Sequence, residues 1–164
     1  MPLIRGTRIS PEAPSTVHSI ALEYSARYRR RCVLECEDGL TFLLDLPRAA
    51  ELVGAVLLED GRSVSIHPAQ EPLAEVRIGG QQLARLAWHI GNRHTPCQLE
   101  DGRLLIQRDR VLEEMLEGLG ATVTHVVEPF RPEGGAYGHG RTHAHSHGHD
   151  PQADPNAHIA GHHD

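Results

Sequence analysis

The chain has 164 residues, a mass of 18.0 kDa and a formal net charge of −6 from 16 basic and 22 acidic side chains. This length suffices for one domain or two small ones and excludes a large enzyme. The acidic balance lacks the basic footprint of a nucleic-acid-binding protein. Every basic residue is an arginine, which excludes a Schiff-base lysine and a P-loop lysine.

Apolar runs and cysteine usage bear on the cellular compartment. The longest apolar run, residues 52–58, is too short for a membrane span, and the N-terminal segment lacks the apolar core of a signal peptide. Cys32, Cys36 and Cys97 show no disulfide pattern. We expect a cytoplasmic protein with no membrane contact. Cys32 and Cys36 are expected to be structural, because four residues along a strand span roughly 13 Å, too far for a shared metal ion.

Residues 1–70 are predicted to form a small all-β domain. Strands at residues 30–37 and 40–46 flank one Asp-Gly pair, and strands at residues 53–58 and 63–67 flank another. An Asp-Gly pair between apolar, β-branched segments is a strong hairpin signal.

Residues 71–130 are predicted to form a ferredoxin-like domain. Apolar residues recur at helical spacing in two stretches, which predicts two amphipathic helices. The first should end near Gly91, since Pro96 disfavours helix just before it, and the second should begin at an Asp109 cap. The two stripes are Leu83, Leu86, Ala87 and Ile90, then Val111, Leu112, Met115, Leu116 and Leu119. Strands are predicted at residues 73–78, 97–100, 103–107 and 121–128.

The resulting order is β-α-β-β-α-β, which is the order of a ferredoxin-like fold. The predicted fold class is therefore α+β, with the all-β domain first. Residues 131–164 are predicted to be a flexible, disordered, histidine-rich tail, because they carry too few apolar residues to offset the entropy of ordering the chain.

The tail holds eight of the 13 histidines, several of them alternating with small residues. Neutral imidazole suits Ni²⁺, Zn²⁺ and Cu²⁺, so the composition predicts metal binding. A solvated polar tail and a purification tag are the alternatives, although a tag would more often be an uninterrupted histidine run. The candidate metal ligands in the tail are His139, His143, His145, His147 and His149.

His94 is the candidate for a fixed metal ligand. It follows the end of the first predicted helix, on a connection that we expect to be exposed and held by a rigid scaffold. The alternative is a surface histidine that caps the helix C-terminus. His89, inside the helix, is expected at the surface or in an interface. The isolated histidines, to which no role is assigned, are His18, His67 and His125.

Catalytic motifs are absent from the sequence, including the zinc-protease, nucleophile-elbow, P-loop and dinucleotide-binding motifs. Glu113, Glu114 and Glu117 are expected on a solvated helix flank with no histidine nearby. A metal-dependent hydrolase that uses His94 would need a rigid third ligand and a general base, and neither is evident.

Several segments together resemble the UreE family of urease accessory proteins. The similar segments are Trp-His-Ile-Gly-Asn-Arg-His at residues 88–94 with Pro96, residues 108–116, and residues 130–137 before the histidine-rich tail. In the first domain they are residues 29–31, the Asp-Gly pair at 38–39 and Leu-Pro-Arg at 46–48. The similarity extends over essentially the whole chain, and it is the combination that is specific.

This resemblance implies a nickel metallochaperone rather than an enzyme. Members are homodimers with a β peptide-binding domain and a ferredoxin-like metal-binding domain. The histidine that matches His94 lies at the dimer interface, where two copies hold one metal ion, and tail histidines complete the coordination. Ni(II) is the cargo, with Zn(II) or Cu(II) as further ions expected to bind in vitro. Nickel passes, with the GTPase UreG and other accessory proteins, to the carbamylated-lysine site of apo-urease.

Two arginines depart from the family pattern. In some members the positions that match Arg108 and Arg110 are histidines of auxiliary metal sites, which we expect to be missing here because guanidinium does not ligate metal. Cys97 is a possible substitute ligand, although core packing is the expectation for a strand start. The alternative function is a histidine-rich nickel or zinc store without a specific client, in which metal binding would survive the loss of His94.

Overall fold

The computed structural model describes residues 2–12 and 18–134. Within these residues the chain is mostly β, with two α helices, which confirms the predicted α+β class. The predicted disorder of the tail concerns residues of which all but 131–134 lie outside the described part. None of the described helices is long and apolar enough to cross a membrane.

Six strands form the first sheet, in the order β2-β6-β5-β1-β4-β3. Its buried core contains Phe42, Leu44, Val56 and Val64. A single 3-10 turn, Tyr24–Ala26, joins β2 to β3. The strands are β1 (Ile4–Ser10), β2 (His18–Leu22), β3 (Tyr28–Glu35), β4 (Thr41–Glu51), β5 (Ala55–Leu58) and β6 (Ser63–Pro68).

Four strands form the second sheet, in the order β10-β7-β9-β8, with every neighbouring pair antiparallel. The strands are β7 (Gln70–Arg77), β8 (Cys97–Glu100), β9 (Arg103–Gln107) and β10 (Thr122–Pro129), and the helices are α1 (Gln82–Gly91) and α2 (Arg110–Gly118). The predicted β-α-β-β-α-β order of elements is therefore present along the chain.

Both helices pack their apolar stripes on the second sheet, except for Val111, which the sequence predicts to be buried but which is 74% exposed at the start of α2. Leu86 and Ile90 of α1 and Leu112 and Leu116 of α2 are buried in one cluster with sheet residues such as Val76. The predicted cap of α2 is present, since Asp109 Oδ1 accepts a hydrogen bond from the Leu112 N–H at 3.0 Å.

The segment after β10 ties the two sheets together. Phe130 is fully buried against Leu73 and Leu105, and its ring lies edge-on to Tyr24 with centroids 5.4 Å apart. Its carbonyl oxygen accepts a hydrogen bond from the buried Arg27 guanidinium. The end of the described chain is thereby fixed against the body of the protein.

Candidate metal site

His94 lies on an exposed turn directly after α1. The helix ends at Gly91, and the His94 N–H donates to the Gly91 carbonyl oxygen at 2.9 Å. Its φ of +54° makes His94 the one non-glycine residue in the left-handed region among residues 2–12 and 18–134. For a residue with a Cβ this conformation costs about 1 kcal/mol, and such local strain concentrates at functional sites. The turn therefore fixes the backbone at His94, whose side chain is exposed.

A cavity of about 250 Å³ adjoins His94. Thr95, Cys97 and Leu99 line it together with Glu133 and Gly134, where the described chain ends. The Glu133 N–H donates to the Cys97 carbonyl oxygen at 2.9 Å, which fixes this segment alongside β8. The last described residue, Gly134, therefore lies in the lining of the His94 cavity.

The Cys97 thiol is poorly suited to bind metal. It is half-buried and packs against the core under the helices. Burial, with a smaller contribution from the Glu133 carboxylate, raises the pKa of Cys97 to about 12. Because the thiolate is the metal-ligating form, this environment favours the packing role over the ligand role.

Two large apolar side chains are exposed beside the His94 turn. Trp88, in the last turn of α1, is 63% exposed, and its indole lies edge-on to the His89 ring with centroids 5.0 Å apart. Leu99, which lines the His94 cavity, is also exposed. Both side chains are therefore available for a contact with another protein surface.

The expectation of a solvated flank without a histidine is wrong for Glu113. Glu113 is buried, and its Oε2 lies 2.8 Å from His125 Nε2. The contact is non-local, since α2 packs against β10 and brings Glu113 to the sheet side of the helix. Glu113 is buried beside Leu112 and Leu116 on this side of α2, and no local feature of the sequence distinguishes it from its neighbour Glu114. Glu114, by contrast, is exposed as expected.

Arg108 and Arg110 both bind carboxylates. Arg108 Nε donates to Glu113 Oε1, and Arg110 Nε donates to Glu114 Oε1, each at 2.8 Å. Neither guanidinium offers a lone pair to a metal ion.

Of the metal ligands predicted from the sequence, His94 alone lies within the described residues. Among those residues, no three His, Cys, Asp or Glu side chains lie close enough together to hold a metal ion. The predicted tail ligands, His139, His143, His145, His147 and His149, lie outside the described residues.

Comparison with known proteins identifies the family. Residues 71–163 match the model of the UreE urease accessory protein, C-terminal domain. The urease accessory protein UreE of Ruegeria sp. (strain TM1040) is 54% identical over 135 residues, which cover 81% of this chain and 76% of the relative. UreE of Ruegeria pomeroyi is 50% identical over 145 residues, 87% of this chain and 96% of the relative. These matches place the chain among the urease accessory proteins. Within that class it belongs to the UreE family.

Proposed function

We propose that this protein is a nickel metallochaperone that binds Ni(II) as cargo and delivers it to apo-urease during assembly of the urease active site. The observation that carries the proposal is the position of His94, on an exposed turn at the rim of the cavity where the described chain ends. Membership in the UreE family supplies the client, because the relatives are named urease accessory proteins.

The proposal assigns each part of the chain a task. Residues 1–70 form an all-β, peptide-binding-like domain, residues 71–130 a ferredoxin-like metal-binding domain, and residues 131–164 a histidine-rich tail that supplies further ligands. The protein acts in the cytoplasm as a homodimer, with the urease apoprotein and the UreG GTPase among its partners.

A homodimer supplies the ligand that one chain lacks. One His94 provides one nitrogen, whereas a two-fold axis beside it brings a second copy of the same nitrogen. The exposed Trp88 and Leu99 flank this turn and offer apolar surface for such an interface. Two imidazoles that meet across the axis leave coordination positions open for the tail.

The tail histidines are within reach of His94. His139 follows Gly134 by five residues, which extend at most about 17 Å. Because Gly134 lines the His94 cavity, even the first tail imidazole has enough chain to enter the coordination sphere. Tethering keeps the effective concentration of these imidazoles high without a rigid cage, and an open site suits an ion that must be released.

The test is a nickel titration of the full-length chain and of His94→Ala. The variant should lose the first, tightest step while the weaker tail steps persist, because both copies of the fixed ligand vanish at once. His67→Ala is the matched control, since His67 is exposed and lies in the first sheet. An unchanged first step in His94→Ala would contradict the proposal and favour a histidine-rich nickel or zinc store.

A thermal-unfolding series gives an independent measurement. Without metal, His94→Ala should change stability by no more than about 0.5 kcal/mol, because the side chain is exposed and alanine carries the same Cβ that the left-handed φ penalises. With nickel, the wild-type dimer should gain stability that the variant lacks, because a ligand bound only to the folded dimer stabilises it. Equal stabilisation of both proteins by nickel would count against a fixed site at His94.

A further inference from the structure

The imidazole of His125 stands against a buried carboxylate at the edge of the second sheet. His125 lies on β10, and its Nε2 is 2.8 Å from Glu113 Oε2 on α2. The His125 side chain is 54% exposed, whereas that of Glu113 is only 11% exposed. One side of the ring is therefore held by the protein while much of its surface meets solvent.

The hydrogen bonds of Glu113 decide which ring nitrogen of His125 carries the proton. Glu113 Oε1 accepts from Arg108 Nε at 2.8 Å and from the Asp109 N–H at 3.1 Å, so the carboxylate acts as an acceptor. An ionised carboxylate only accepts hydrogen bonds, so the proton of neutral His125 lies on Nε2. The lone pair is then on Nδ1, which has no hydrogen-bond partner within the described part of the chain.

We propose that His125 is a metal ligand that binds Ni(II), or another divalent ion that prefers imidazole, through Nδ1, with Glu113 as its positioning residue. A histidine that binds metal through one nitrogen commonly donates its other N–H to a carboxylate, which fixes the tautomer, orients the ring and raises ligand basicity. Here both groups already stand in that relation. His125 supplies one protein nitrogen, and water occupies the remaining positions of the ion.

This site is separate from the His94 turn. His94 lies three residues before the start of β8, and His125 lies on β10, at the opposite edge of the four-stranded sheet. Three strand spacings separate these edges by about 14 Å. The His125 site is therefore independent of the proposed urease function, and it would bind metal whether or not His94 does.

The surroundings of the His125 ring do not oppose a cation. Arg108 is neutralised by Glu113, and Arg110 is paired with Glu114 on the outer side of α2. The ion would thus approach two balanced ion pairs rather than uncompensated arginines. Because His125 is its one protein ligand, the site binds metal weakly. The hydrogen bond to Glu113, which orients the ring and raises its basicity, distinguishes it from other exposed histidines.

Site-resolved carbethoxylation of the full-length protein tests the proposal. Diethyl pyrocarbonate acylates unprotonated imidazole nitrogen, and tandem mass spectrometry reports each histidine separately as nickel chloride is added. His67 is the internal control, because it is exposed and makes no hydrogen bond through its side chain within the described residues. Nickel should protect His125 at about a tenth of the concentration that protects His67, the size of effect that an outer carboxylate provides. Magnesium chloride, whose ion prefers oxygen ligands, should protect neither.

Two variants assign the effect to the pair. Glu113→Gln should remove the tenfold difference between His125 and His67, and Arg108→Gln should keep it, because the carboxylate remains. His94→Ala should leave protection of His125 unchanged, which separates this site from the proposed chaperone site. Equal protection of His125 and His67 in the wild-type chain would overturn the proposal, even if Glu113→Gln fails to fold. So would tenfold preferential protection of His125 that survives Glu113→Gln.

Discussion

Cys97 lies three residues after His94, yet its surroundings give it a different role. The thiol packs against the core under α1, and burial followed by the Glu133 carboxylate raises its pKa to about 12. A thiol with this pKa stays protonated at neutral pH and offers little thiolate to a metal ion. Proximity in sequence to His94 therefore does not make Cys97 a ligand.

Cys97→Ala should consequently leave the first nickel step unchanged and cost about 1 kcal/mol of unfolding free energy, a common size for the loss of a partly buried side chain. Nickel titration and urea denaturation of the same samples measure both quantities. Cys32→Ala in the first sheet serves as a control for general thiol effects. A weakened first step with unchanged stability would show that the thiol binds metal.

Glu113 and His125 show where single residues escape prediction. The exposed turn of His94 follows from local rules, because a helix must end before Pro96. Burial of Glu113 depends instead on α2 packing against β10, where His125 completes the contact. Neither residue carries a local signal for the other. Pairing between side chains on different elements is thus the part of a site that sequence spacing leaves undetermined.

At the scale of elements, Arg103 joins all four strands of the second sheet. From β9 it donates to Glu75 of β7, Glu100 of β8 and Glu128 of β10, at 2.6 to 3.0 Å. Hydrogen bonds from Arg77 and then from Arg103 lower the pKa of Glu75 from 4.5 to about 2. These charge-assisted bonds tie together strands whose order is non-consecutive.

Arg103→Gln should lower the unfolding free energy by about 2 kcal/mol at neutral pH, since hydrogen bonds to charged groups are lost. A carboxyl whose folded-state pKa is depressed adds stability above its ordinary pKa of 4.5, and this contribution disappears as the pH falls through about 2. The difference between wild type and variant should therefore shrink in that acid range. Urea denaturation across the range measures it, with Arg85→Gln on the exposed side of α1 as control. A difference that stays constant with pH would contradict the role of the carboxylates.

Element boundaries were predictable where neighbours in sequence are neighbours in space. The hairpin of β8 and β9 has the predicted bounds, because its strands flank one tight Asp-Gly turn. β1 and β2 carry no such signal, since each pairs in parallel with a strand far along the chain. Parallel pairing needs a long crossover, so local turn chemistry cannot reveal it.

At the scale of the molecule, the end of the described chain is anchored to the second sheet. The last fully buried side chain in the described residues is Phe130, which packs against the second sheet and Tyr24. Glu133 then pairs with Cys97 beside the His94 turn. The described chain therefore ends at Gly134, which lines the cavity beside His94.

Removal of residues 138–164 should therefore lower the number of nickel ions bound per dimer while the fold and the dimer persist. The truncated segment contains the tail imidazoles but none of the buried residues that form the described core. Equilibrium dialysis measures the number of bound nickel ions, far-ultraviolet circular dichroism the fold, and mass in solution the dimer.

A full-length variant with alanine at His139, His143, His145, His147 and His149 separates the loss of imidazoles from the loss of chain. Both variants should retain the first step at His94, although with weaker affinity, because each loses only the completing ligands that tethering supplies. Unfolding of the truncated chain, or an unchanged number of bound ions, would contradict the role proposed for the tail.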